Sequence, residues 1–251
     1  MPWPWSSKPL PPTPEPVRPR VIPVLRPVTP IVPNILFQDI IGLEEEKEIL
    51  NRSLASLKPV HVLLHGPPAS AKTLFLEDLA KLPGAEYVLG SNLSKVGLFD
   101  VLFDQRPRLL ILDELDKVVS RDLACLLSLM EGTLITETKH RKRRVMRLDR
   151  CWVYASANEV KKMRPELLSR FLKLPFHAYM RNDFIEIGTQ LLVRREGLPE
   201  QVALHLADRM WSDGSRDVRD VLKVRRLMRA ETVEEAEAVL TLLRRQSQSE
   251  Q

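Results

Sequence analysis

From Val60 onward the chain sets short, unbroken apolar runs between longer stretches whose apolar residues recur every three or four positions. The runs are VHVLL (60–64), EYVL (86–89), RLLIL (108–112), WVYAS (152–156) and FLKLPF (171–176). A run with no polar alternation reads as a strand buried on both faces, and the amphipathic stretches between the runs read as crossover helices. The pattern predicts an α/β fold, a doubly wound parallel sheet of five strands, over residues 35–178. An amphipathic helix rich in glutamate, within FQDIIGLEEEKEILNRSLASL, precedes the first strand. After Phe176 no strand pattern returns. Four stretches, beginning NDFIEIG, PEQVALH, SRDVRDV and TVEEAEA, keep helical spacing and predict a small all-helical domain over 179–247. Gly197 is placed to end its first helix, and Thr232 with Glu235 forms a capping box that opens its last.

The first 34 residues have neither period. They hold twelve of the chain's 20 prolines, which remove backbone donors and disfavour helix in the preceding residue. This composition predicts a polyproline-like or disordered arm, and Trp3 and Trp5 make it a candidate docking segment for a protein partner. The chain as a whole, 251 residues and 44% apolar, supports a real core. No run of 18 uncharged apolar residues predicts a membrane span, and the N-terminus lacks the pattern of a secretory signal. Cys125 and Cys151 lie in apolar contexts and read as buried reduced thiols, which fits a cytoplasmic setting. Net charge is +5, and KHRKRR (139–144) alone carries two lysines and three arginines with no acid. Such a run is either a solvated loop or a contact for phosphates or an acidic protein face.

Chemistry concentrates where strands end. HGPPASAKT follows the first strand and opens a helix, so backbone N–H groups and the helix dipole can wrap phosphates. Gly66 begins this loop, Lys72 can reach the β and γ phosphates of a nucleotide, and the Thr73 hydroxyl can hold Mg²⁺. Ala71 stands where G-x-x-x-x-G-K-[ST] has its second glycine. A helical backbone there tolerates alanine; a positive φ would cost about 1 kcal/mol. The loop is expected to remain competent. RLLIL then ends in Asp113 and Glu114, which puts two carboxylates at the sheet's C-terminal edge beside the loop. Asp113 suits a Mg²⁺ shell and Glu114 a water to be polarised. WVYAS leads to Asn158, a neutral group able to position the same water or a turn residue. Arg170, in RPELLSRF, is either a structural ion pair or a cation reaching a neighbouring subunit. The five histidines and two cysteines show no metal-ligand spacing.

Taken in order, GPPASAKT, LLILDELD, ASAN, LLSRF and GSRDV resemble the Walker A, Walker B, sensor 1, arginine finger and sensor 2 motifs of the AAA+ ATPases. The resemblance covers about residues 35–246. It implies a P-loop (AAA+) sheet with a helical lid, with ATP and Mg²⁺ as cofactors. Gly66, Pro67, Pro68, Ala69, Ser70, Ala71, Lys72, Thr73 and Leu74 would cradle the phosphates, and Ile41 and Gly42 would pack against adenine. Asp113 and Thr73 would serve the metal, Glu114 catalysis, and Asn158 the sensing of water or γ-phosphate. Arg170 would act in trans, which implies a homo-oligomer, a hexameric ring. Arg216 and Arg219 both fit the lid sensor. Between SRDLACLLSLMEG and ASAN, the stretch TLITETKHRKRRVMRLDRCW alternates like a β-hairpin with a basic tip. This insertion is similar to that of the pre-sensor-1 hairpin group, which includes the RuvB branch-migration motors, although the pattern here stops soon after Arg245, without their winged helix. The resemblance implies an ATP-driven motor on DNA, with Lys139, Arg141, Lys142, Arg143 and Arg144 as the nucleic-acid contact. The rival is a protein-remodelling ATPase similar to the MoxR group, and a third reading is a slow nucleotide-gated loader.

Overall fold

The computed structural model describes residues 36–249 apart from 119–122, 133, 140–141 and 149, so the proline-rich arm and its two tryptophans lie outside the described residues. Five parallel strands form one sheet in the order β2-β3-β6-β1-β7. They are β1 (Val62–His65), β2 (Ala85–Leu89), β3 (Leu109–Asp113), β6 (Trp152–Ala157) and β7 (Leu172–Pro175). Each lies on its predicted run, with only small shifts at the ends.

Alternate residues of the central strands feed two separate cores, which is why the runs carry no polar alternation. Leu63, Leu110, Leu112, Val153 and Ala155 pack on one face with Leu98 of helix α3 (Lys95–Asp100) and with Leu126 and Leu129 of α4 (Ala124–Met130). Val62, Leu64, Leu109, Ile111 and Tyr154 pack on the other, against Leu50 and Leu54 of α1 (Glu44–Ala55) and Phe75, Leu76 and Leu79 of α2 (Lys72–Ala80). The polar atoms of Trp152 and Tyr154 in this second core are paired. The Trp152 indole donates to the Ser53 carbonyl at 2.9 Å, and the Tyr154 and Ser53 hydroxyls lie 2.8 Å apart. Only the three inner strands match the expectation of full burial. β2 and β7 are the edges, each with one neighbour in the sheet, and are partly exposed.

The insertion before β6 is an antiparallel hairpin, β4 (Ile135–Lys139) and β5 (Lys142–Met146), with Ile135 opposite Met146 and Lys139 opposite Lys142. A short helix α5 (Pro165–Leu168) leads to β7. Beyond it come four helices, α6 (Arg181–Glu196), α7 (Glu200–Ser212), α8 (Arg219–Leu227) and α9 (Val233–Ser249). They share a third core that includes Phe184, Leu192, Leu206, Val221 and Leu240. Gly197 ends α6 with φ 66°, as its position predicts. The predicted capping box is half realised. The Glu235 N–H donates to Thr232 Oγ1 at 3.3 Å, but the Glu235 carboxylate reaches the Arg229 N–H instead of returning to Thr232.

Candidate functional site

The loop after β1 lies at the C-terminal edge of the sheet, where crevices form in open α/β folds. Two contacts fix its entry. The Gly66 N–H donates to the Ala157 carbonyl at 3.2 Å, and a Cβ on Gly66 would overlap the Phe176 carbonyl. The first contact also places the following residue, Asn158, at the mouth of the loop. Pro67 and Pro68 line the outer side of the loop, and Ser70 Oγ donates to the Pro67 carbonyl at 2.7 Å.

Ala71 does not have a helical backbone. It caps α2 with φ 65° and ψ −3°, and Ala69 has φ 61°. Of the two alternatives at this position, the strained one is realised, because the chain must reverse between loop and helix. Lys72 is 5% exposed and folds back over the loop, donating to the Gly66 carbonyl at 2.9 Å, the Pro67 carbonyl at 2.5 Å and Ser70 Oγ at 3.0 Å. Burial lowers its pKa from the usual lysine value, against the opposing pull of Asp113 and Asp116. Thr73 and Leu74 occupy the first turn of α2 and are half-buried.

Across from this loop, β3 delivers Asp113, which is 4% exposed and engaged through both oxygens. Its Oδ1 accepts from Ser156 Oγ and, at 3.0 Å, from the Glu114 N–H; its Oδ2 accepts from the Tyr87 hydroxyl at 2.6 Å. Burial, and then the carboxylate it faces, push the Tyr87 phenol well above its ordinary pKa. Glu114 follows in the left-handed region, with φ 56°, and its N–H also donates to Ser156 Oγ at 2.9 Å. Gly90 passes beneath this turn, where any Cβ would collide with the Asp113 and Glu114 carbonyls. Asp116 Oδ1 is buried with no partner among the described residues, and its charge, like that of Asp113, reaches Lys72. Hard oxygen donors with spare capacity beside a lysine fit a magnesium ion shared with phosphates.

The other predicted residues divide. Ile41 is half-buried and Gly42 has φ 69°, ahead of α1. Arg170 donates to the Glu166 carbonyl and pairs with the Glu131 carboxylate at the end of α4, so the structure shows the cis ion pair. Arg216 stacks on Trp211, 3.8 Å from its ring centroid, and donates to the Trp211 carbonyl at 2.9 Å. Arg219 pairs with Asp217 at 2.7 Å, a bond that raises its pKa above the ordinary arginine value.

One residue of the basic run is misassigned by the sequence. Arg144 is not a free tip cation. It pairs with Glu137 directly across the hairpin, with Asp100 at 2.9 Å and Asp104 at 3.4 Å, and its guanidinium lies 4.7 Å from the Phe103 ring centroid. Lys139, Lys142 and Arg143 lie on the strands nearest the turn, and Arg141 lies outside the described residues. Sequence reasoning also missed Tyr87, Ser156, Asp116 and Gly90. Ser156 and Asp116 stand two or three positions from motif residues and were within reach of inspection; Tyr87 and Gly90 become relevant only once β2 is placed beside β3.

The loop, the paired carboxylates and the strand order are those of a nucleotide-binding P-loop sheet. The model of the ATPase family associated with various cellular activities (AAA) matches residues 62–177. These residues are a AAA ATPase domain. Over the AAA region the chain is similar to the ATP-dependent zinc metalloprotease FtsH of Cyanidium caldarium, 33% identical over 109 residues. It is also 31% identical over 114 residues to the proteasome-activating nucleotidase of Aeropyrum pernix. These matches take in 34% and 36% of the chain, and only 18% and 28% of the respective relatives. The AAA fold extends further in space. RuvB of Thermotoga maritima, a Holliday junction branch migration motor, superposes with TM-score 0.62 at 19% identity, over 80% of this chain and 70% of that one. A point mutant of the same motor superposes with TM-score 0.66 at 20% identity, over 83% and 72%. At this identity the likeness is one of fold.

Proposed function

We propose that the protein is an ATP-hydrolysing AAA+ motor, working as a homo-oligomeric ring with residues 35–178 as its nucleotide-binding domain and 179–247 as its lid. The observation that carries the reading is the placement, at one edge of the sheet, of the buried Lys72 folded over the loop that follows β1 and the buried Asp113 that ends the parallel strand β3. Lys72 and the N–H groups opening α2 hold the phosphates, with Thr73 and Asp113 as ligands of Mg²⁺, which neutralises phosphate charge when bound. Glu114 polarises the attacking water, and Asn158 orients it. Arg216, stacked on Trp211, and Arg219, paired with Asp217, are both lid-sensor candidates. In the ring, Arg170 leaves Glu131 and reaches the neighbour's γ-phosphate.

For the substrate we favour DNA. The hairpin before β6 supports this reading, because Lys139, Lys142 and Arg143 concentrate at the end away from its root. Protein remodelling of the MoxR-like kind is the second reading, supported by the curated relatives and by the withdrawal of Arg144 into ion pairs. ATPase assays with single-stranded, duplex and four-way DNA discriminate between them. Stimulation by DNA is expected; stimulation by a protein partner alone would replace the first reading with the second. No helix among the described residues is long and apolar enough to cross a membrane, and a cytoplasmic location is part of the proposal.

A further inference from the structure

We propose that Tyr87 is a positioning residue for the metal-holding carboxylate, orienting Asp113 through its hydroxyl so that one oxygen lobe stays directed at the cation. The proposal rests on the reading of Asp113 as a Mg²⁺ ligand and deepens it. β2 and β3 run parallel, with Tyr87 opposite Ile111 and Leu89 opposite Asp113. Tyr87 therefore lies behind Asp113 on the neighbouring strand, and its long ring carries a hydroxyl forward to Oδ2 at 2.6 Å. Ser156 Oγ and the Glu114 N–H fix Oδ1 from β6 and from the turn. An ionised carboxylate offers about four acceptor directions. Three are taken by these donors, which leaves about one. A magnesium ion demands near-ideal octahedral geometry, so a carboxylate with a single open lobe, locked from two neighbouring strands, is pre-aligned for it. Without the phenol, the carboxylate is held through Oδ1 alone, and Oδ2 presents two open lobes instead of one aligned with the cation.

Satisfying a buried carboxylate could also be purely structural, so the test separates metal from fold. Tyr87→Phe keeps the ring and removes the hydroxyl. Binding of a fluorescent, non-hydrolysable ATP analogue is titrated with and without Mg²⁺, alongside the Mg²⁺ dependence of turnover. Outer partners of metal ligands are worth about 10- to 100-fold in metal affinity. The expected result is a rise of about tenfold in the Mg²⁺ needed for half-maximal effect, with metal-free analogue affinity within about twofold of the parent. An unchanged Mg²⁺ requirement, or a parallel loss of metal-free binding, overturns the proposal. Ser156→Ala serves as the second variant, and is expected to shift the Mg²⁺ requirement in the same direction. If the parent protein itself binds the analogue without regard to Mg²⁺, the assignment of Asp113 fails and the role of Tyr87 falls with it. Parental Mg²⁺ dependence that survives in both variants overturns the role of Tyr87 alone.

Discussion

At the sheet's C-terminal edge, Asp113 and Glu114 stand where a buried strand runs out; in the hairpin, Arg144 stands in mid-strand. The sequence marks both as working charges, and only the first pair lies where that reading puts it. The difference is one of geometry. A strand buried on both faces has nowhere to put a charge except its end, so the position of the carboxylates follows from the apolar run before them. A two-stranded hairpin offers two faces at every position, and its register decides which charges meet. With Lys139 opposite Lys142, Glu137 falls opposite Arg144, and the sheet's analogue of a helical ion pair forms. A charge run is thus a poor guide to a free surface until its strand pairing is known.

The largest expected effect lies where the two regions meet. Arg170, just before β7, is held by Glu131, at the root of the hairpin. If it acts across a ring interface, Arg170→Ala reduces turnover by about 10³- to 10⁵-fold while each subunit still binds ATP. Mixing with Lys72→Ala subunits then restores some activity, and Glu131→Gln leaves assembled turnover near the parental rate. Steady-state kinetics on mixed assemblies check this. Equal losses in Arg170→Ala and Glu131→Gln, with no rescue on mixing, would make the contact a structural pair and break the link between hairpin and edge.

Next comes the edge itself. Glu114→Gln retains the shape of the turn and leaves Asp113 in place but removes the group that polarises water. Turnover should fall by about 10²- to 10⁴-fold with ATP retained, measured by single-turnover hydrolysis beside equilibrium binding. Parental turnover in this variant would remove Glu114 from the mechanism.

In the hairpin, two sets of substitutions should separate. Arg144→Ala strips the partner from Glu137, which is 7% exposed, and should lower the urea midpoint. Lys139, Arg141, Lys142 and Arg143 changed to serine should leave that midpoint in place and weaken DNA binding. On duplex DNA the log–log salt slope should become shallower by about 0.9 for each phosphate that the tip no longer neutralises. Equal effects of both sets on stability would erase the distinction between tip and root; unchanged DNA binding would point to a protein partner.

How much was legible follows from the same physics. The five strands and four C-terminal helices announce themselves by period, since burial on two faces or on one stripe leaves a local signature. Lys72, Thr73, Asp113, Glu114 and Asn158 were locatable because each sits at a strand end or helix start. Tyr87, Gly90 and Glu131 were not, because their roles arise from contacts between elements distant in sequence. The backbone at Ala71 was not legible either: alanine is compatible with a helix, and nothing local forces the left-handed turn.

Ala71 therefore gives the smallest effect, and its sign carries the information. In the left-handed region a Cβ crowds the following carbonyl at a cost of about 1–2 kcal/mol. Ala→Gly relieves this but frees the unfolded chain, which offsets about 0.4–1 kcal/mol. The balance at φ 65° is a net stabilisation of up to about 1.6 kcal/mol for Ala71→Gly. Were the backbone helical, the same change would instead destabilise by about 0.5–1 kcal/mol. Urea unfolding at unchanged m-value reads the difference, and a loss of stability would contradict the turn. Function is expected to respond less. The loop's shape is already held by Lys72 and Ser70, so ATP affinity should stay close to the parental value and turnover should change modestly. A rate gain approaching a hundredfold would mean that the alanine methyl holds the phosphates away from Glu114, and that the natural loop is built for slow, nucleotide-gated switching instead of motor work.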